Sequence, residues 1–382
     1  MPIDLSNHKW PERDADIRSK PEGGELIGSA FKTFVSEGAL YVRAIDFNGE
    51  MRAIPRECSA ITAMGYEDGV IYGATRGEQS WLFQYALPSF REAAVPLCPI
   101  PDCTDVRGMV VMGGCAYAGA NNDLEGRIVK ITGLSLPGDV IQEWGMPRPR
   151  FETVGVPVPG ERIAQMIQSR ADDAIYGLTS PGGVLFRFTP DSGELGVIGP
   201  VDPVKFFGPV LVEGNGGDVF AFGTVGKMVR FDPFTEGITA TGVRVPCFPG
   251  RGPYARISAA VFDPSQQRIY VGDTEGLLSV ISIEDESVTT LGKPVPLGGI
   301  DHLVRLRDGR IFGVAGGLDG MSHLFVHDPR VGGLRDLGVC CATVEKGWYG
   351  YRFGAMLATP EGRIVLGEDD HLGCLFSYFP PL

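Results

Sequence analysis

Cations recur at one kind of place along this chain, in short stretches between strand-like segments. They read Asp105-Val106-Arg107, Glu161-Arg162-Ile163-Ala164-Gln165, Lys205-Phe206-Phe207, Tyr254-Ala255-Arg256, Asp301-His302 and Trp348-Tyr349-Gly350-Tyr351-Arg352. Five carry Arg or Lys, and the sixth carries His302. Guanidinium forks grip carboxylate or phosphate bidentately, so Arg107, Arg162, Arg256 and Arg352 suit an anionic ligand, with Arg76 joining from a neighbouring loop. The competing reading is that these arginines bridge adjacent structural units by pairing with Asp or with backbone carbonyls. His302 is the general-base candidate by position. Tyr349 and Tyr351 beside Arg352, and Tyr254 beside Arg256, suit stacking on a sugar face joined to carboxylate recognition. A second cluster, Glu368-Asp369-Asp370-His371, has the oxygen and imidazole donors of a divalent-cation site through Glu368, Asp370 and His371. It lacks the fixed spacing of a dedicated calcium loop, and a solvated acidic loop is the alternative. The cofactor expectation is therefore none, or a divalent cation.

The elements that would position these residues show themselves as a repeat. A β-branched or aromatic strand closes on glycine seven times: at Val70–Gly73, Ala116–Gly119, Ala174–Gly177, Phe220–Gly223, Ile269–Gly272, Arg310–Gly313 and Ile364–Gly367. A second strand follows each copy, as in Trp81–Tyr85 and Val184–Phe188. Asp68-Gly69, Asp308-Gly309 and similar pairs mark tight turns before it. A period of that length built of strands and turns predicts an all-β fold, a seven-bladed β-propeller of four-stranded blades. The last repeat ends without an outer strand. Ala39–Ile45 or the segment around Met51 to Ile54 is expected to supply it, closing the ring and removing two open sheet edges. The rival arrangement has eight blades, with residues 28–57 forming an incomplete first one. Residues 1–27 read as a peripheral arm and 28–382 as one propeller domain. In that architecture the loops after the second strand and the connections between blades share a face around the central funnel. That shared face would gather these Arg, Lys and His side chains.

Composition narrows the function classes. Asp and Glu number 47 against 34 Lys and Arg, a net charge of −13, so neither nucleic acid nor an anionic membrane is an expected partner. No apolar run reaches transmembrane length, and the first residues lack a basic segment followed by an apolar core; the expected location is cytoplasmic. The eight cysteines match no zinc spacing and read as free thiols, with Cys115 and Cys374 buried beside strands. His327, alternating with apolar neighbours, reads as a blade-surface residue. There is no Gly-x-Ser-x-Gly elbow, no phosphate loop, no His-Glu-x-x-His and no Trp-Asp repeat.

The repeat unit (Ile-Tyr-Gly, a short loop, Leu-Phe-x-Tyr/His, Asp-Pro, then Leu-Gly) resembles that of bacterial β-propellers without the Trp-Asp signature, among them propeller-fold polysaccharide lyases that cleave uronate-containing glycans. The resemblance spans about residues 28–380. It implies a His or Tyr that removes the proton beside a uronate carboxylate and a cation that neutralises that carboxylate. His302, Tyr349, Tyr351 and Arg352 are the matching positions. The expected function is a carbon–oxygen lyase acting on an anionic sugar, an oligosaccharide or a small carboxylate. The alternatives are a non-catalytic propeller that holds a protein or glycan, and a metal-dependent lactonase-like hydrolase.

Overall fold

The structure is a computed structural model. It describes residues 32–33, 35–43, 58–86, 94–134, 149–201, 210–223, 226–251, 256–296, 298–316, 321–343, 347–369 and 373–381. Seven four-stranded antiparallel sheets follow one another as seven blades. Their inner strands are Cys58–Glu67, Asp105–Met112, Arg162–Gln168, Leu211–Glu213, Ile257–Asp263, Gly299–Arg305 and Phe353–Ala358, for blades 1 to 7 in order. The Gly phrases fall on the second strands, for example Val70–Gly77 in blade 1 and Ile364–Glu368 in blade 7. These strands are buried along most of their length, because each blade is sandwiched between two others. Outer strands such as Glu194–Pro200 are largely exposed.

The packing explains why the phrase ends in glycine. A Cβ on Gly367 would meet Ile61 Cγ2 of blade 1 at 2.4 Å, and one on Gly177 would meet the Phe186 ring at 2.1 Å. The position needs a residue without a side chain so that an apolar group can lie directly on the backbone. Elsewhere the interior is aliphatic and aromatic: Tyr176, Phe186, Phe220, Phe312 and Phe325 are among its fully buried side chains.

The ring closes with seven blades, not eight. Ala39–Arg43 pairs antiparallel with Leu375–Phe379 and completes blade 7, with Leu40 opposite Tyr378 and Val42 opposite Phe376. The other candidate for closure, Met51 to Ile54, and the arm 1–27 lie outside the described residues. Lys32–Thr33 adds to a small sheet with Cys341–Thr343 and Gly347–Tyr349, between the last two blades.

The structure corrects two smaller expectations. His327 is buried; its Nδ1–H donates to the Gly333 carbonyl at 2.8 Å and its ring packs on Tyr270 of blade 5. It therefore joins two blades instead of facing solvent. Cys374 is buried as expected, but Cys115 is only half-buried; neither forms a disulfide.

Candidate active site in the axial channel

A cavity of about 560 Å³ lies on the ring axis and takes its lining from all seven blades. Its geometry begins with a repeated irregularity. Six of the seven inner strands slip register against their partner near the upper end, at Ile61/Ala63, Val106/Met109, Ile163/Gln165, Ile257/Ala259, Ile300/His302 and Phe353/Ala355. The residue before each slip is a buried apolar anchor. A regular strand sends consecutive side chains to opposite faces, and a bulge re-aims them. The bulge thus lets Asp301 and His302, neighbours in sequence, both line the channel. Thr62, Arg107 and Ser258 reach it from the equivalent place in other blades.

Polar side chains here also stitch blade to blade. Asn121 pairs with both backbone groups of Ile163, Gln165 with those of Leu211, and the Ser258 hydroxyl donates to Ile300 O. His302 belongs to the same series: its Nε2–H donates to Phe353 O across the blade 6–blade 7 junction at 3.0 Å. A carbonyl can only accept, so this bond puts the proton on Nε2 and leaves the Nδ1 lone pair without a hydrogen-bond partner among the described residues. Burial, with the positive charges of Arg107 and Arg352 adding to it, pushes the His302 pKa down to about 4, so the ring is neutral above that value. Burial has the opposite effect on Asp301, raising it to about 6 with the help of Asp369 and against the pull of Arg352. Asp301 Oδ2 is buried and has no hydrogen-bond partner among the described residues.

The arginines divide into two sets. Arg107, Arg256 and Arg352 line the cavity. Arg162 and Arg76 do not; they stand behind it as inter-blade braces. Arg162 Nη2 lies 3.3 Å from Asp105 Oδ2 of blade 2, the oxygen that also receives Arg107 Nε at 2.9 Å. Arg76 of blade 1 pairs closely with Asp369 of blade 7, which also faces Arg352 Nε at 3.7 Å. Bridging between blades and lining the channel therefore coexist. The far ends of the inner strands carry another bridge, Arg305 to Asp263 at 2.9 Å.

Tyr349 sits in the small sheet between the last two blades, and neither it nor Tyr351 is among the described residues that line the cavity. Tyr254, Asp370 and His371 lie outside the described residues. Glu368 turns inward: it is buried, and its Oε2 accepts the backbone N–H of Cys374 at 2.9 Å. Among the described residues no group of three or more His, Cys, Asp or Glu is arranged to hold a metal. The sequence reading did not single out Asp301 or Asp369 as site residues. Asp301 stands at the position occupied by Thr62 and Ser258 in other blades, a correspondence visible only once the bulges align the inner strands.

No protein-family model and no curated protein matches this chain. Solved structures do. Virginiamycin B lyase from Staphylococcus aureus, as a catalytically inactive variant with quinupristin, superposes with a TM-score of 0.64 at 9% identity, over 90% of this chain and all of that one. The selenomethionine form of the same lyase gives 0.63 at 11% identity, over 92% and 100%. The extracellular domain of a protein described as a one-component system from B. thetaiotaomicron gives 0.56 at 14%, over 89% of this chain and 40% of that one. The likeness is one of fold. It agrees with the seven blades and the closed ring.

Proposed function

We propose that the channel binds a small carboxylate, of the uronate type or smaller, and eliminates an oxygen substituent next to the carbon bearing the acidic proton. The observation that carries this reading is His302: a neutral imidazole with Nδ1 uncommitted, in a cavity that also holds Arg107 and Arg352. Nδ1 takes the proton from the carbon beside the carboxylate. The C–H electron pair becomes the new C=C as the C–O bond on the next carbon breaks with its pair to oxygen. Asp301, protonated below about 6, supplies the proton that the leaving oxygen needs. The two guanidinia face the negative charge that grows on the carboxylate as the proton leaves, the stage at which preorganised cations help most. Sharing a fold with a lyase is compatible with this chemistry and does not carry it.

The test is a panel of uronic acids, their oligomers and small hydroxy acids, followed by the ultraviolet absorbance of an unsaturated product, with wild type beside His302→Gln. Gln can still donate to Phe353 O, so the blade junction is kept, and with it the melting temperature above pH 6.5, while the base is removed. Turnover lost at unchanged melting temperature is the expected result. Equal turnover in the variant would overturn the role of His302. Carboxylate binding with no turnover by wild type would favour the alternative of a propeller that only holds its ligand.

A further inference from the structure

Three guanidinium groups reach one cavity from three separate directions. Arg107 belongs to blade 2, Arg352 to the start of blade 7 and Arg256 to the start of blade 5. In a ring of seven, blades 7 and 2 flank blade 1, and blade 5 lies across the axis from it. His302, on blade 6, stands between Arg256 and Arg352 in ring order. The partners differ as well. Arg107 shares Asp105 with Arg162, and Arg352 faces Asp369 Oδ2 only at 3.7 Å, outside hydrogen-bond range, while Arg76 holds the other oxygen of Asp369 closely. Arg256 is exposed, and its guanidinium has no carboxylate partner among the described residues. Among the described residues that line the cavity only Asp301 and Asp369 are acidic, in a chain whose net charge is −13. Arg107 and Arg256 stand three blades apart, the widest separation a ring of seven allows, and Arg352 is two blades from each. A single carboxylate does not span from Arg107 to Arg256.

We infer that the ligand of the channel carries two anionic groups, a dicarboxylate of small-sugar size. One carboxylate lies at Arg107 and the other at Arg256, with Arg352 between them in ring order, which presents the intervening carbons to His302. This rests on the reading of the cavity as a carboxylate site and adds the second anionic end. It needs a volume that a six-carbon acid fits, and about 560 Å³ provides it.

The experiment is isothermal titration calorimetry of the full chain with D-gluconate and D-glucarate, at matched ionic strength. The two probes differ only in that the far CH₂OH of gluconate is a second carboxylate in glucarate. Glucarate should bind about tenfold tighter, or better, as expected for an added charge-assisted contact. Arg256→Gln, at an exposed position, should remove that advantage, whereas Arg352→Gln should weaken both acids. Equal affinity of the two acids, or an advantage that survives Arg256→Gln, overturns the dicarboxylate inference. In that outcome, loss of gluconate binding in Arg352→Gln still supports the carboxylate site. Absence of binding by either acid also overturns the inference, and the turnover panel then decides the lyase reading by itself.

Discussion

Asp301 and His302 are adjacent, share one cavity and are pushed by burial in opposite chemical directions, which gives them opposed pH signatures. An unfolded histidine gains its proton near 6.5, whereas folded His302 refuses it until about 4. Over that window the unfolded state binds more protons, so His302 makes stability fall as pH drops from 6.5 to 4. Folded Asp301 keeps its proton up to about 6, whereas the unfolded chain releases it near 3.8. Over that window the folded state binds more protons, so Asp301 makes stability fall as pH rises from 3.8 to 6. The two slopes overlap and partly cancel in the wild type. Melting temperatures of wild type, His302→Gln and Asp301→Asn across pH 3.8 to 6.5 separate them. Relative to wild type, His302→Gln should gain as pH falls, and Asp301→Asn should gain as pH rises. Parallel curves for all three would mean that neither group is titrated as its burial demands.

At the scale of the strand, the glycine that ends each repeat and the bulge that opens six of the seven inner strands are two halves of one device. The glycine lets an apolar side chain lie against the backbone, and the bulge turns the following residues toward the axis. Gly177→Ala places a methyl 2.1 Å from the buried Phe186 ring, an overpacking that should cost about 1–3 kcal/mol in urea unfolding. Gly196→Ala, where nothing lies within 4 Å, should stay within about 0.5 kcal/mol of wild type. Equal losses at both sites would show that the close approach is not what the repeat protects. The glycine half of the device was readable in the sequence, because a missing side chain leaves a fixed letter every blade. The bulge half was not. Ile61-Thr62-Ala63, Ile257-Ser258-Ala259 and Ile300-Asp301-His302 share only an apolar anchor and their place in the blade, so nothing marked Asp301 as equivalent to Thr62. Tyr349, read from its place beside Arg352 as suited to a sugar face, lies in the small sheet with residues 32–33 and 341–343, and a pairing between such distant segments leaves no mark in local spacing. Which cations line the channel and which brace blades depended on Asp105 and Asp369, and an ion pair between distant blades leaves no trace in local spacing.

For the whole molecule, the closed ring is what turns seven similar sheets into one cavity, and the closure depends on a strand from the opposite end of the chain. Ala39–Arg43 is held by more than its ladder to Leu375–Phe379. Leu40 is 1% exposed, and Tyr378 Oη donates to the Glu37 carbonyl at 3.0 Å. Ser36 N–H donates to Leu337 O of blade 6 at 2.7 Å, and the Glu37 carboxylate pairs with Arg335 of the same blade. The closing strand thus ties blade 7 to blade 6 as well as completing blade 7. Without it, Leu375–Phe379 would present an open edge beside the blade that supplies Arg352 and Asp369. Leu40→Ala should therefore lower global stability by about 2–5 kcal/mol, the loss expected for a leucine truncated inside a packed core. Amide exchange should give residues 39–43 the same protection as 375–379, both close to the global limit. A variant that frays only at 39–43, with an unchanged unfolding midpoint, would mean that the strand is an appendage and that six blades and a three-stranded seventh hold the channel by themselves. The hydrogen bonds to both neighbouring blades favour the first outcome, because opening this strand breaks two interfaces at once.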